Sequence, residues 1–196
     1  GGSVTATGGQ DAAGIGGGYD ASGGTVTIHG GNVTASGGQD AAGIGGSQDG
    51  SGGNIIIHGG TVKATGGGNA AGIGGSDGSS GTITIHGGSV TATGGLSASG
   101  IGSGKEGSGV SFATGTDGHA LIVANGGISD TSSRDSWSGI IFEGDTGKVY
   151  KDQTLQENIE IPLGKTLTVP ENTTLTVNSG VTLTNSGTIT GNGTLD

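Results

Sequence analysis

The stretch GSVTATGGQDAAGIGG at residues 2–17 returns as GNVTASGGQDAAGIGG at 31–46, GTVKATGGGNAAGIGG at 60–75 and GSVTATGGLSASGIGS at 88–103. Val4, Val33, Val62 and Val90 are separated by 29, 29 and 28 residues, and Ile15, Ile44, Ile73 and Ile101 follow the same steps. A period held this closely means stacked copies of one small unit. Each unit holds three short apolar/polar alternations: SVTAT at 3–7, AAGIG at 12–16 and TVTIH at 25–29, the last seen again as NIIIH at 54–58 and TITIH at 82–86. Alternation rich in Val, Ile and Thr predicts strands, and the glycine pairs between them predict tight turns. Helical repeats are excluded because Leu96 is the only leucine in the first 109 residues and glycine is everywhere. The leucine-rich repeat lacks its leucines, and collagen would need glycine at every third position. What remains is an all-β chain wound as a parallel β-helix, or β-solenoid, with about three strands per rung.

Stacking assigns inside and outside. If Val4 points inward, so does Ala6, while Thr5 and Thr7 point out; Val26 and Ile28 behave likewise against Thr25, Thr27 and His29. The core is then a set of ladders: Val4/Val33/Val62/Val90, Ala6/Ala35/Ala64/Ala92, Ile15/Ile44/Ile73/Ile101 and Ile28/Ile57/Ile85. Alanine and glycine inside make it narrow, and one rung cannot bury its own inner face, so stability must come from the stack.

Organisation changes near residue 110. Glycines number 39 in residues 1–109 and 12 in residues 110–196. We divide the chain into four glycine-rich repeats over 1–109, transitional rungs over 110–147 with a loop at 129–138, and smaller Thr/Asn-rich rungs over 148–196. The last part is expected to add about two rungs to the same solenoid, for a rod roughly 30 Å long at about 4.8 Å per rung.

The run GGxVTATGGxxAAGIGG, then GGTVTIHGG, HALIVA, SWSGIIFEG and finally KTLTVPENTTLTVNSGVTLTNSGTI resembles the glycine-rich repeat regions of large secreted and cell-surface proteins of Gram-positive, often gut-dwelling, bacteria. The resemblance covers nearly the whole chain. It implies a right-handed β-helix, an extracellular setting, either secreted or attached to the cell wall, and an adhesin-like or carbohydrate-binding role. The residues that carry it are mostly glycines and core positions, which speak for fold more than for function.

Composition narrows the function. Sixteen Asp and Glu against six Lys and Arg give a net charge of −10, and Arg134 is the sole arginine, which argues against nucleic acid. No apolar run approaches the roughly 20 residues of a membrane span. Gly1 stands in mid-repeat, so a signal peptide and a wall anchor are left to sequence outside residues 1–196. The absence of cysteine removes disulfides, Cys-ligated metals and thiol catalysis. The open ends of a solenoid invite end-to-end association.

Candidate binding residues lie on outward ladders and in one loop. His29, His58 and His86 recur once per rung, with Thr114 expected in the next place; stacked imidazoles could share a transition metal or lie against a sugar ring, and the plain alternative is a polar residue before a Gly-Gly turn. Asp20, Asp49, Asp77 and Glu106 recur in the loop after the second strand, where calcium is the candidate ion and solvated loop acids the alternative. The outer face of the first strand is an array of hydroxyls (Thr5, Thr7, Thr34, Thr91, Thr93) like that of ice-binding proteins, interrupted by Lys63. Arg134, Asp135 and Trp137 form the one place where arginine, acid and aromatic converge; Trp137, with Tyr19, could stack on a glycan, and an exposed loop closed by an Arg–Asp pair is the alternative.

Polysaccharide-degrading enzymes on β-helices need clustered acids in a cleft, and no Ser-His-Asp order, phosphate loop or histidine-acid zinc spacing appears. The expectation is a non-catalytic adhesin or stalk that contacts a glycan or a host surface protein, with no obligatory cofactor. The alternative is a dedicated, calcium-assisted carbohydrate-binding module; a remnant of a polysaccharide-degrading enzyme trails both.

Overall fold

A computed structural model describes residues 1–78, 81–130 and 133–196, with backbone alone at 116–118. It is a right-handed parallel β-helix. Ser3–Thr7, Asn32–Ser36, Thr61–Thr65 and the second half of Thr82–Thr93 pair in parallel, so that Val4 meets Val33, Val33 meets Val62 and Val62 meets Val90. The alanine ladder runs beside it in the same register, and Ile15, Ile44, Ile73 and Ile101 pair through two-residue strands on a second face. Val26, Ile55 and Ile83 form a third column that Phe112 continues, and Ile122 and Ile141 extend the valine column. All four expected ladders are present. Their interior members are buried, whereas Val4, in the first repeat, is 50% exposed.

Two glycine columns make this coil possible. Gly60 has φ of 91° at the corner between the third strand of one unit and the first of the next, a conformation closed to most side chains. Gly45 has φ of 135°, and a Cβ there would overlap the Gly74 carbonyl one rung away, so the rungs stack only where that position is bare.

The last part of the chain departs from the expectation of a single continued solenoid. Gly139–Glu143 turns at Gly144-Asp145 and pairs antiparallel with Thr146–Tyr150, Ile141 opposite Lys148. From there Thr166–Thr168 and Thr188–Thr190 stack in parallel on Thr146–Tyr150, so the later rungs run opposite to the first coil. The core changes sides as well. Ala120, Ile122, Ala124 and Ile141 belong to the first core, while Ile140 and Phe142 belong to a second core on the opposite face, against which Leu121 and Val123 pack. Reversing both strand direction and core side amounts to a half-turn about the stacking axis, which preserves the hand of the coil. Two coils therefore share one sheet. Their seam is tied by Lys165, whose Nζ donates to the Gly144 carbonyl at 2.7 Å and to Asn125 Oδ1 at 3.3 Å, while Asn125 Nδ2 donates to Thr93 Oγ1 at 3.1 Å.

Candidate binding cleft

The histidine ladder forms as a stack. His29 and His58 lie 5.0 Å apart with planes 4° from parallel, and His58 and His86 lie 4.9 Å apart at 10°. Imidazole lone pairs lie in the ring plane, so parallel rings aim them side by side and not at one ion about 2.0–2.1 Å away. His58 has a ring on each face, which leaves neither face for a sugar. Thr114 does not continue the column: it pairs with Ile85, and the strand shifts register before His119. Thr114 Oγ1 instead accepts the Ser138 N–H at 2.6 Å.

The acidic ladder does not gather either. Asp20 and Asp49 occupy left-handed turns, with φ of 50° and 58°, five positions after their isoleucines. Asp77 follows Ile73 by four, so the column slips by a residue. Among the described residues, no three His, Asp or Glu side chains come together to hold a metal ion. Tyr19 is 69% exposed on an outer corner, away from any such group. The hydroxyl face is ordered as Thr5 beside Thr34, Thr34 beside Lys63 and Lys63 beside Thr91, and it ends where Val123 pairs with Thr91 and the second coil begins to cover the sheet.

The 129–138 loop builds the most developed site. Thr131 and Ser132 lie outside the described residues. Ser133 caps a short 3-10 turn, Arg134–Ser136: its Oγ accepts the Asp135 N–H at 3.2 Å and donates to Asp135 Oδ2 at 2.8 Å. That turn delivers Trp137 into the core. The indole is fully buried, edge-on to Phe112 at 5.0 Å and 85°, and 5.3 Å from Tyr150. It closes the end of the first core and cannot stack flat on a sugar from solvent, which corrects the reading of Trp137 as an exposed platform. The Arg134 guanidinium lies 5.1 Å from the indole centroid, and its ion pair is with Glu143 at 2.6 Å, not with an aspartate. Asp130, at the start of the loop, accepts the Phe112 N–H through its Oδ1 at 3.2 Å.

Around these residues lies a cleft of about 250 Å³ whose walls are Arg134, Asp135 and Trp137 on one side and Lys148, Tyr150 and Lys151 on the other, with Pro170 and Thr173 beyond. Three of the chain's six cationic residues meet here against one lining carboxylate. Lys148 Nζ sits 5.1 Å from the Tyr150 centroid, and Lys151 Nζ donates to the Ser136 carbonyl at 3.1 Å. Lys151 takes φ of 60°, an unfavourable conformation for a side chain of its size. Buried Gln153 holds the turn, its Nε2 donating to the Tyr150 and Asp152 carbonyls at 2.8 and 2.9 Å. Burial, then the Glu143 carboxylate, push the Tyr150 phenol above its ordinary pKa, opposed by Arg134. The Trp137 N–H is buried without an acceptor among the described residues.

Sequence reasoning found Arg134, Asp135 and Trp137 but missed Lys148, Tyr150 and Lys151. The signal was KVYK at 148–151, where two of the five lysines flank a tyrosine. A larger recess, about 290 Å³, lies along the seam between the coils; apart from His119 and Glu157 its walls are uncharged, and it reads as imperfect packing between Leu121, Ile140, Leu155 and Ile159.

A family model described as a β-helix repeat matches residues 1–19, 26–48, 55–77 and 83–105. Residues 1–105 are a β-helix repeat region. The match falls on the four glycine-rich units of the β-helix repeat region and stops before the strand reversal and the cleft. No curated protein and no solved structure matches the chain significantly.

Proposed function

We propose that the chain is a non-catalytic, rod-like segment of an extracellular bacterial surface protein, secreted or wall-attached, and that the cleft is where it contacts a glycan. The convergence of Arg134, Lys148 and Lys151 with Tyr150 carries this reading. The in-register stack supports the rod, since each rung contacts only its neighbours through a continuous ladder. The non-catalytic part is supported by the lining: glycoside hydrolysis generally uses two carboxylates about 5–9.5 Å apart across the bond, and among the described residues Asp135 is the one carboxylate that lines the cleft. The unconverged acidic loops speak for glycan contact without calcium.

The test is a glycan array probed with the protein and with Arg134→Ala, with and without chelator. Saturable binding that weakens in the variant and ignores chelator is expected. Silence across the array overturns glycan contact and leaves a stalk or a protein-directed adhesin; binding that chelator abolishes overturns the calcium-free form.

A further inference from the structure

Resting on that reading, we propose that the cleft takes the carboxylate of a single acidic sugar residue, of the uronic or sialic type, between Lys148 and Lys151.

The charge distribution leads there. With a net charge of −10, most of the surface repels anions, and half of the cationic residues stand in this one recess. A long polyanion would have to lie along a chain whose net charge is −10, and charges of like sign closer than about one Debye length repel. A ligand whose charge is confined to one residue avoids that. At about 250 Å³ the cleft is also below the roughly 300–1,000 Å³ of sites for larger ligands, a scale that suits one sugar.

The donors are poised for a carboxylate. Lys148 is exposed and has no ion pair among the described residues, only the Tyr150 ring beneath it. Lys151 has spent one of its three donors on the Ser136 carbonyl, and the lysine is held there by a backbone turn that Gln153 supports. Arg134 is different: Glu143 already holds it, so it fixes the wall over Trp137 and positions the site. Asp135, the one carboxylate lining the cleft among the described residues, is an acceptor suited to a sugar hydroxyl, while the Glu143 carboxylate is held by Arg134.

The experiment is calorimetric titration of the full chain with a glucuronate-terminated oligosaccharide, its carboxyl-reduced glucose counterpart and an acidic peptide. The acidic sugar should bind, and the reduced sugar should bind at least roughly tenfold more weakly, the scale of one charged hydrogen bond. Lys148→Ala and Lys151→Ala should each cost a similar factor, with Lys148→Arg restoring most of it, and a melt of each variant reports that the fold is intact. Equal binding of the two sugars overturns the inference and leaves glycan contact standing. Binding of the peptide but of neither sugar overturns both. Unchanged affinity in folded Lys148→Ala and Lys151→Ala places the acidic sugar elsewhere and overturns the assignment.

Discussion

Replacing Trp137 separates a core indole from a surface one without any ligand. Its side chain is fully buried, touches Phe112 edge-on and Tyr150 at a tilt, and carries the Arg134 guanidinium over its ring. Truncation of such an aromatic to alanine costs about 3–5 kcal/mol, combining lost transfer free energy with the cavity left behind. At about 2–4 °C per kcal/mol for a chain of this length, Trp137→Ala should melt roughly 6–20 °C lower. Trp137→Phe keeps a ring against Phe112 and removes the N–H that has no acceptor among the described residues, relieving a desolvation cost of about 1–3 kcal/mol, while the smaller ring leaves part of the indole's space unfilled. The two terms oppose one another, so Trp137→Phe should stay within about 1.5 kcal/mol of the parent. Guanidinium titration followed by far-UV circular dichroism measures both variants, since neither retains the tryptophan as a fluorophore. Trp137→Ala within about 0.5 kcal/mol of the parent, the range of ordinary surface changes, would refute the capping role.

Gly74→Ala should destabilise by at least about 2 kcal/mol, because φ is 133° and the new Cβ overlaps the Gly102 carbonyl of the next rung; Gly18→Ala, whose Cβ meets nothing within 4 Å, is the control and should melt like the parent. Tyr150 gives an alkaline prediction: its folded pKa lies above the unfolded value near 10, so the neutral phenol favours the folded state fully below that pH. The contribution is lost as pH rises through the folded pKa. Melting temperature followed from pH 8 upward should therefore fall above about pH 10, with a shallower fall in Tyr150→Phe; identical slopes would remove Tyr150 from the account.

The first coil was legible because each rung states its residues again. Val33, Val62 and Val90 stand for one structural position, and a period of 28 or 29 leaves little choice of partner. The reversal was written too, in GIIFE-GD-TGKVY, where two turn residues between strand-like runs are a hairpin signature. The parallel rhythm of the earlier units masked it. Burial of Trp137 was not legible: serines flank it, and its partners Phe112 and Tyr150 stand 25 residues before and 13 after it, so only the closed coil brings them together. The histidine spacing was readable from the period, but the ring orientation that rules against chelation depends on side-chain stacking, which periodicity does not encode.

The cleft follows from the reversal. In a continuous solenoid every strand turns one face inward and the other to solvent, so a repeated rung offers the same residue at every level, as His29, His58 and His86 do. Thr146–Tyr150 is not such a rung. Val149 faces the second core, so Lys148 and Tyr150 face the other way, toward the end of the first coil where Trp137 closes it. The side chains that would have pointed into the next rung of the first coil are instead left at its capped end, free to be cationic and aromatic. Asp152 and Gln153 begin the new coil immediately afterwards, Asp152 accepting the Thr174 N–H at 2.8 Å, which brings Pro170 and Thr173 to the far side. A cleft made this way is singular: the repeats add like rungs, and the joint between the coils brings together residues that no repeat holds.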